Sequence, residues 1–144
     1  HVRIDHLAMH TQSEQNYRGV ADGRARGVYN GKVVVHVGAD KTDAIQSSKN
    51  LLLSDKAEID TKPELEIYAD DVKCRHGATV GQLDADALFY LRSRGIDLET
   101  ARALLTYAFA EDVVVKAGVD AVRDLLDMRI LGLLPAQDII REFV

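Results

Sequence analysis

The feature that most constrains the fold of this 144-residue chain is a change in the spacing of its apolar residues near Gly81. Upstream, from Val2 to Val80, β-branched residues form short alternating runs with Gly, Asn or Asp at the breaks, which is typical of strands. Downstream, apolar residues recur every three or four positions, which is typical of amphipathic helices. We therefore predict a β domain over residues 1–82 and a helical domain over residues 83–144.

The β domain contains several short strands and no helical pattern between them. A sandwich, a barrel and a β-solenoid each fit such a pattern, and the long connections between most strands favour the solenoid. Tight turns are predicted only at the dipeptides Asp22-Gly23 and Asn30-Gly31. Pro63 lacks a backbone donor, so we expect it at a strand start or in an edge strand.

Aspartates mark the predicted helix starts in the second domain. Asp84 and Asp97 are placed to cap two helices separated by Gly95, and Asp112 is placed to cap a third. The apolar stripes of these helices are expected to form a core and to pack against the β unit rather than to be partner-binding grooves. The stripe of the third helix consists of Val119, Val122, Leu125 and Leu126.

Composition excludes several function classes. The net charge of −5 does not favour nucleic acid or an anionic membrane as a partner. No apolar run reaches the about 18 residues that span a membrane, and there is no phosphate-loop or Gly-x-Ser-x-Gly motif. A single cysteine suits a reducing compartment such as the cytoplasm. Because the chain enters strand-like sequence directly at His1, we expect it to be a fragment of a longer protein.

The strongest candidate site lies in the segment Asp71–Gly81, which reads DVKCRHGATVG. Side chains alternate between the faces of a strand, so Cys74 and His76 are predicted to lie side by side on one face with Val72, Ala78 and Val80. Thiolate and imidazole together are a candidate metal or cluster-ligand pair. The alternative is that Cys74 is a small buried hydrophobic residue.

Two other constellations are weaker. Asp70 and Asp71 are adjacent, and paired carboxylates on a β-helix could hydrolyse glycosides; however, adjacent strand residues face opposite sides. His6 and His10 could form a metal pair, but a break in the alternation lies beside them. Two ordinary surface histidines are the preferred interpretation there.

Two long segments carry a family resemblance: SDKAEIDTKPELEIYADDVKCRHGATVG, from Ser54 to Gly81, and ALFYLRSRGID, from Ala87 to Asp97. Both are similar to the C-terminal part of the SufD proteins, subunits of the Suf (SufBCD) iron–sulfur cluster assembly scaffold. The resemblance implies a right-handed parallel β-helix followed by a C-terminal helical domain. It also implies a non-enzymatic protein.

The resemblance further implies a role for the candidate pair. Cys74 and His76 would be ligands of a transient iron–sulfur cluster that is built at the junction with a SufB-like paralogue, which the β-helix contacts. The helical domain would dock a SufC-like ATPase. Two ligands are too few, since a cluster commonly takes four, so the partner must supply the others. An interaction module without ligands is the alternative, and self-association into homodimers is expected in either case.

Overall fold

The fold is given by a computed structural model that describes residues 1–135 and 137–140, without the side chains of Gln137 and Ile139. The chain divides into two compact units, one of residues 1–80 and one that begins at Gly81. The strands of the first unit are β1 (Val2–His6), β2 (Gln12–Ala21), β3 (Arg26–Val35), β4 (Asp43–Leu52), β5 (Glu58–Ile67) and β6 (Lys73–Gly81). The helices are α1 (Ala85–Ser93), α2 (Leu98–Val114), α3 (Asp120–Leu131) and α4 (Gln137–Ile140).

Six parallel strands form two three-stranded sheets, with the orders β1-β3-β5 and β2-β4-β6. Consecutive strands belong to different sheets, so each strand pairs with the next but one. Val2 of β1 lies opposite Gly31 of β3, and Gln15 of β2 lies opposite Gln46 of β4. Parallel neighbours need long crossover connections, which explains the scarcity of tight-turn signals in the sequence.

The two sheets face each other. The Tyr29 hydroxyl of β3 donates to Gln15 Oε1 of β2 at 3.0 Å, and the Thr61 hydroxyl of β5 donates to Ser48 Oγ of β4 at 2.8 Å. One end of this interior is apolar, with Leu65, Ala69, Val72 and Cys74 packed against the buried residues Val33, Val35, Ala39 and Ala44. Since burial of apolar area is the main favourable contribution to folding, this cluster stabilises the end of the unit that carries Cys74.

One of the two predicted tight turns is present and the other is wrong. Gly23 has a φ of 62° and lies in the turn after β2. Asn30 and Gly31, however, lie in the middle of β3, opposite Lys62 and Pro63. Glycine is required at position 31 because a Cβ there would collide with the side chains of Tyr29 and Gln46. Pro63 itself lies in β5, the outer strand of its sheet in the described residues, as expected.

In the helical unit, two of the three predicted caps are confirmed. The Asp84 carboxylate accepts hydrogen bonds from the backbone N–H groups of Asp86 and Ala87, and the Asp97 carboxylate accepts one from Thr100. Gly95 ends the first helical segment with a φ of 90°. The cap predicted at Asp112 is wrong, since α2 continues through this residue to Val114.

The apolar stripe of α3 is exposed rather than part of a core. Val119, Val122, Leu125 and Leu126 are between 41% and 60% exposed. The core of this unit instead contains Ala103, Tyr107, Leu131 and Ile140. These four residues are therefore not part of the core of the helical unit. No helix within the described ranges is long and apolar enough to cross a membrane.

Candidate functional site

Cys74 and His76 both lie on β6, which is the outer strand of its sheet in the part of the chain that the structure describes. Alternation along the strand gives them the same face, as the sequence predicts. Cys74 is half-buried and packs against the apolar cluster of the β unit, whereas His76 is exposed. The pair thus joins a partly shielded sulfur to an accessible imidazole on the outer strand of a sheet.

The sulfur borders an open pocket of about 220 Å³ that is lined by Asp43, Lys73, Cys74 and Arg75. A second pocket, of about 320 Å³, shares Asp43 and Lys73 with it. Asp43 is the first residue of β4, and Lys73 is the first residue of β6, so the start of both strands forms this charged surface. The site therefore offers an oxygen ligand and two cations beside the thiol.

The surroundings of Cys74 favour the neutral thiol. Burial raises the pKa of the Cys74 thiol, and the negative charge of Asp43 raises it further, while a backbone hydrogen bond from Ala44 acts in the opposite direction. A metal ion binds the thiolate, so a metal that bound Cys74 would have to displace this proton. A raised pKa protects the unliganded sulfur from oxidation, because oxidation follows thiolate character.

The pair does not make a complete metal site. Within the described ranges there is no group of three or more His, Cys, Asp or Glu side chains arranged to hold a metal ion. Iron–sulfur clusters are commonly held by four protein ligands, and a Cys–His pair supplies two of the accepted types. The donor set thus fits half of a cluster site.

The carboxylate pair predicted from Asp70 and Asp71 is not assembled into a catalytic groove. Asp71 lines the larger pocket, but its carboxylate is ion-paired with Lys41. Asp70 is exposed and does not line that pocket. The arrangement therefore gives the glycoside-hydrolase alternative no support.

The interpretation of His6 as a surface histidine is wrong. Only 4% of His6 is exposed, and its Nδ1 and Nε2 are hydrogen-bonded to the hydroxyls of Thr11 at 2.7 Å and Ser13 at 2.8 Å. Both ring nitrogens are thereby occupied, which leaves neither for a metal. His10 is exposed.

Asp43 is the neighbour of Cys74 that sequence reasoning did not identify. It is the first residue of β4, a strand without valine, and belongs to no recognisable motif. Its position beside the sulfur depends on the pairing of β4 with β6, two strands that are far apart in the sequence.

Comparison with known proteins identifies the family. Residues 1–109 match the family model described as "SUF system FeS cluster assembly, SufBD core domain". The chain is 45% identical over 121 residues to the iron–sulfur cluster assembly protein SufD of Escherichia coli K12, an alignment that covers 84% of this chain and 27% of that protein.

Two further relatives agree with this match. A SufBD family protein of Synechocystis is 50% identical over 105 residues, covering 73% of this chain and 23% of the relative. SufD of Bacillus subtilis is 41% identical over 125 residues, covering 87% and 29%. The chain therefore spans less than a third of the length of these relatives, and it belongs to the SufBD family of iron–sulfur cluster assembly proteins.

Proposed function

We propose that this chain is the part of a SufD-type scaffold subunit that contributes Cys74 and His76 to a nascent iron–sulfur cluster at a subunit junction. The cluster is the cargo of the scaffold and not its resident cofactor, and the subunit itself performs no catalysis. The observation that carries the proposal is the position of a thiol and an imidazole on one face of β6, the outer strand of its sheet in the described residues. A partner chain can approach such a strand and complete the ligand set.

In this proposal the alternation of parallel strands between two facing sheets is part of a right-handed parallel β-helix over residues 1–82. A SufB-like paralogue binds along it, and the cluster is built between the two subunits. The domain that follows, residues 83–144, docks a SufC-like ATPase. The proposal places the complex in the cytoplasm, where thiols stay reduced.

The chain's own residues have distinct parts in the proposed site. Cys74 supplies a sulfur ligand whose thiol pKa is raised by burial, so iron binding is coupled to the loss of its proton. His76 supplies a nitrogen ligand from an exposed position. An incomplete site shared between subunits suits transient assembly and release of the cluster, because neither subunit alone supplies the four ligands that a cluster commonly takes.

The test is anaerobic cluster reconstitution on the complete Suf complex, assembled with the full-length subunit. Cys74→Ala and His76→Ala are each expected to lower the yield of cluster, followed by visible absorption and iron content, by about tenfold or more, as losses of metal-site groups do. Thr79→Ala is the matched control, because Thr79 is exposed on the same strand with the opposite parity. Undiminished cluster formation in both variants would remove the ligand role.

A second candidate function is supported by the packing of Cys74 against the apolar cluster. In this alternative the chain is an interaction module, and Cys74 is a core residue without a ligand role. It predicts that Cys74→Ala lowers thermal stability but leaves the cluster yield per folded complex unchanged. It also predicts that SufB-like and ATPase partners do not protect Cys74 from alkylation in the assembled complex.

A further inference from the structure

The interior between the two sheets is polar beyond the apolar end described above. Gln46, Ser48 and Asn50 of β4 are 1%, 0% and 3% exposed, and so they are removed from solvent. Buried amides and hydroxyls are retained in proteins when they find hydrogen-bond partners. The polar side chains that meet in this interior are Gln15, Tyr29, Gln46, Ser48, Asn50 and Thr61.

These side chains form two hydrogen-bonded groups. In the first group, Gln15 Oε1 accepts hydrogen bonds from the Tyr29 hydroxyl and from Gln46 Nε2, both at 3.0 Å. In the second group, Asn50 Nδ2 donates to Ser48 Oγ and to the backbone carbonyl of Thr79, both at 3.1 Å. Each amide is thus held in place by one of its two ends.

The other end of each amide is unmatched. Gln15 Nε2, Gln46 Oε1 and Asn50 Oδ1 are buried and have no hydrogen-bond partner among the described residues. Exchanging oxygen and nitrogen in both Gln15 and Gln46 preserves the contact between them and again leaves one donor and one acceptor unmatched. The deficit at Gln15 and Gln46 is therefore independent of how their amide oxygens and nitrogens are assigned.

Glycines on neighbouring strands keep these amides in position. A Cβ at Gly31 would collide with Gln46 Nε2 and the Tyr29 ring, and a Cβ at Gly19 would collide with Asn50 Oδ1. The amides occupy the space that side chains at these two positions would otherwise fill. The polar interior is consequently built into three strands rather than arising from one misplaced side chain.

The unmatched atoms define the ligand that would satisfy them. Gln15 offers a donor, Gln46 and Asn50 offer acceptors, and no charged side chain belongs to either hydrogen-bonded group. A ligand for these atoms must be small, neutral and able both to accept and to donate hydrogen bonds. We propose that the interior of the β unit binds ordered water, with one molecule bridging Gln15 Nε2 and Gln46 Oε1 and another on Asn50 Oδ1.

This inference is independent of the cluster-ligand role and is tested on the full-length subunit. An atomic-resolution crystal structure is expected to show a water oxygen within hydrogen-bond distance of both Gln15 Nε2 and Gln46 Oε1. In solution, NMR is expected to show cross-relaxation from a long-lived water to the Gln15 side-chain amide protons. Gln46→Met, which keeps a similar volume and removes the acceptor, should lose both signals. Gln12→Met, at an exposed position of β2, should keep them.

A wild-type crystal structure in which these amide atoms bond only to protein groups would overturn the inference. So would a bridging molecule larger than water, or water signals that persist in Gln46→Met. Should Gln46→Met fail to fold, the wild-type crystal structure and NMR measurement still decide the question.

Discussion

At the scale of single residues, burial separates the two histidines that the sequence placed together. His10 is exposed, whereas His6 is enclosed between the hydroxyls of Thr11 and Ser13. The Thr11 hydroxyl also bonds to that of Thr42 at 3.0 Å, so the imidazole belongs to a network that connects neighbouring turns. Removal from water lowers the pKa of the His6 imidazole below its ordinary value of 6.5. The neutral ring is therefore the form that stabilises the fold.

This pKa gives a pH-dependent prediction. Because the pKa of His6 is lower in the folded state, the unfolded state binds more protons as the pH falls through 6.5. The contribution of His6 to stability is therefore present above pH 6.5 and is lost as the pH falls through the folded-state pKa. The free energy of unfolding of the wild type and of His6→Gln is measured from pH 8 to pH 5. This range extends about one and a half pH units on either side of the ordinary histidine pKa.

The wild type is expected to lose more stability than His6→Gln across this range, although His6→Gln is the less stable protein at the alkaline end. His10→Gln is the control, and its pH profile should parallel that of the wild type. Parallel profiles for His6→Gln and the wild type would show that His6 does not contribute to the pH dependence.

The candidate pair shows how far sequence reasoning reaches at this scale. Alternation within one strand is a local rule, so the shared face of Cys74 and His76 could be predicted without a fold. The approach of Asp43 could not, because it depends on which strands become neighbours. Likewise, the burial of His6 depends on turns that are far apart in the sequence and stack on one another in the fold.

At the scale of elements, local signals predicted the helix boundaries better than the strand turns. Asp84 and Asp97 cap their helices because a cap needs only a short side chain and the backbone N–H groups of the next turn. Asn30-Gly31 misled the prediction because the same dipeptide suits a hairpin turn and a crowded strand interior. Gly31 lies in a crowded strand interior because the side chains of Tyr29 and Gln46 approach it closely. Only the fold brings these two side chains to Gly31.

The crowding at Gly31 is testable by adding one methyl group. Gly31→Ala places a Cβ against the Tyr29 ring, whose Cζ would lie 2.8 Å away, and against the Gln46 amide. Overpacking of this kind is expected to lower the free energy of unfolding by about 1–3 kcal/mol, measured by chemical denaturation. Gly77→Ala is the matched control in β6, because nothing lies within 4 Å of its added Cβ. Equal stability of the two variants would contradict the packing described for β3.

At the scale of the whole molecule, the period change near Gly81 was sufficient to predict a β unit followed by a helical one. It could not predict which apolar faces would be buried, since periodicity reports that a helix has an apolar face but not what covers it. The stripe on α3, exposed to between 41% and 60%, is the clearest instance. An exposed apolar face of this kind is typical of an interaction surface.

The exposed stripe of α3 provides the test of the proposed ATPase docking. Leu125 is 50% exposed and contributes little to the core of its own unit, so Leu125→Gln is expected to leave the thermal midpoint unchanged. Burial of a leucine side chain in an interface contributes about 1.5–3 kcal/mol, so its loss should weaken binding of the SufC-like ATPase by about tenfold or more. Isothermal titration calorimetry of the full-length subunit with the ATPase gives the Kd directly. Asp124→Gln, an exposed polar position on the same helix outside the stripe, should bind as the wild type does. An unchanged Kd for Leu125→Gln would show that the ATPase does not dock on the stripe of α3. The cluster-ligand proposal would be unaffected, because it depends on β6 alone.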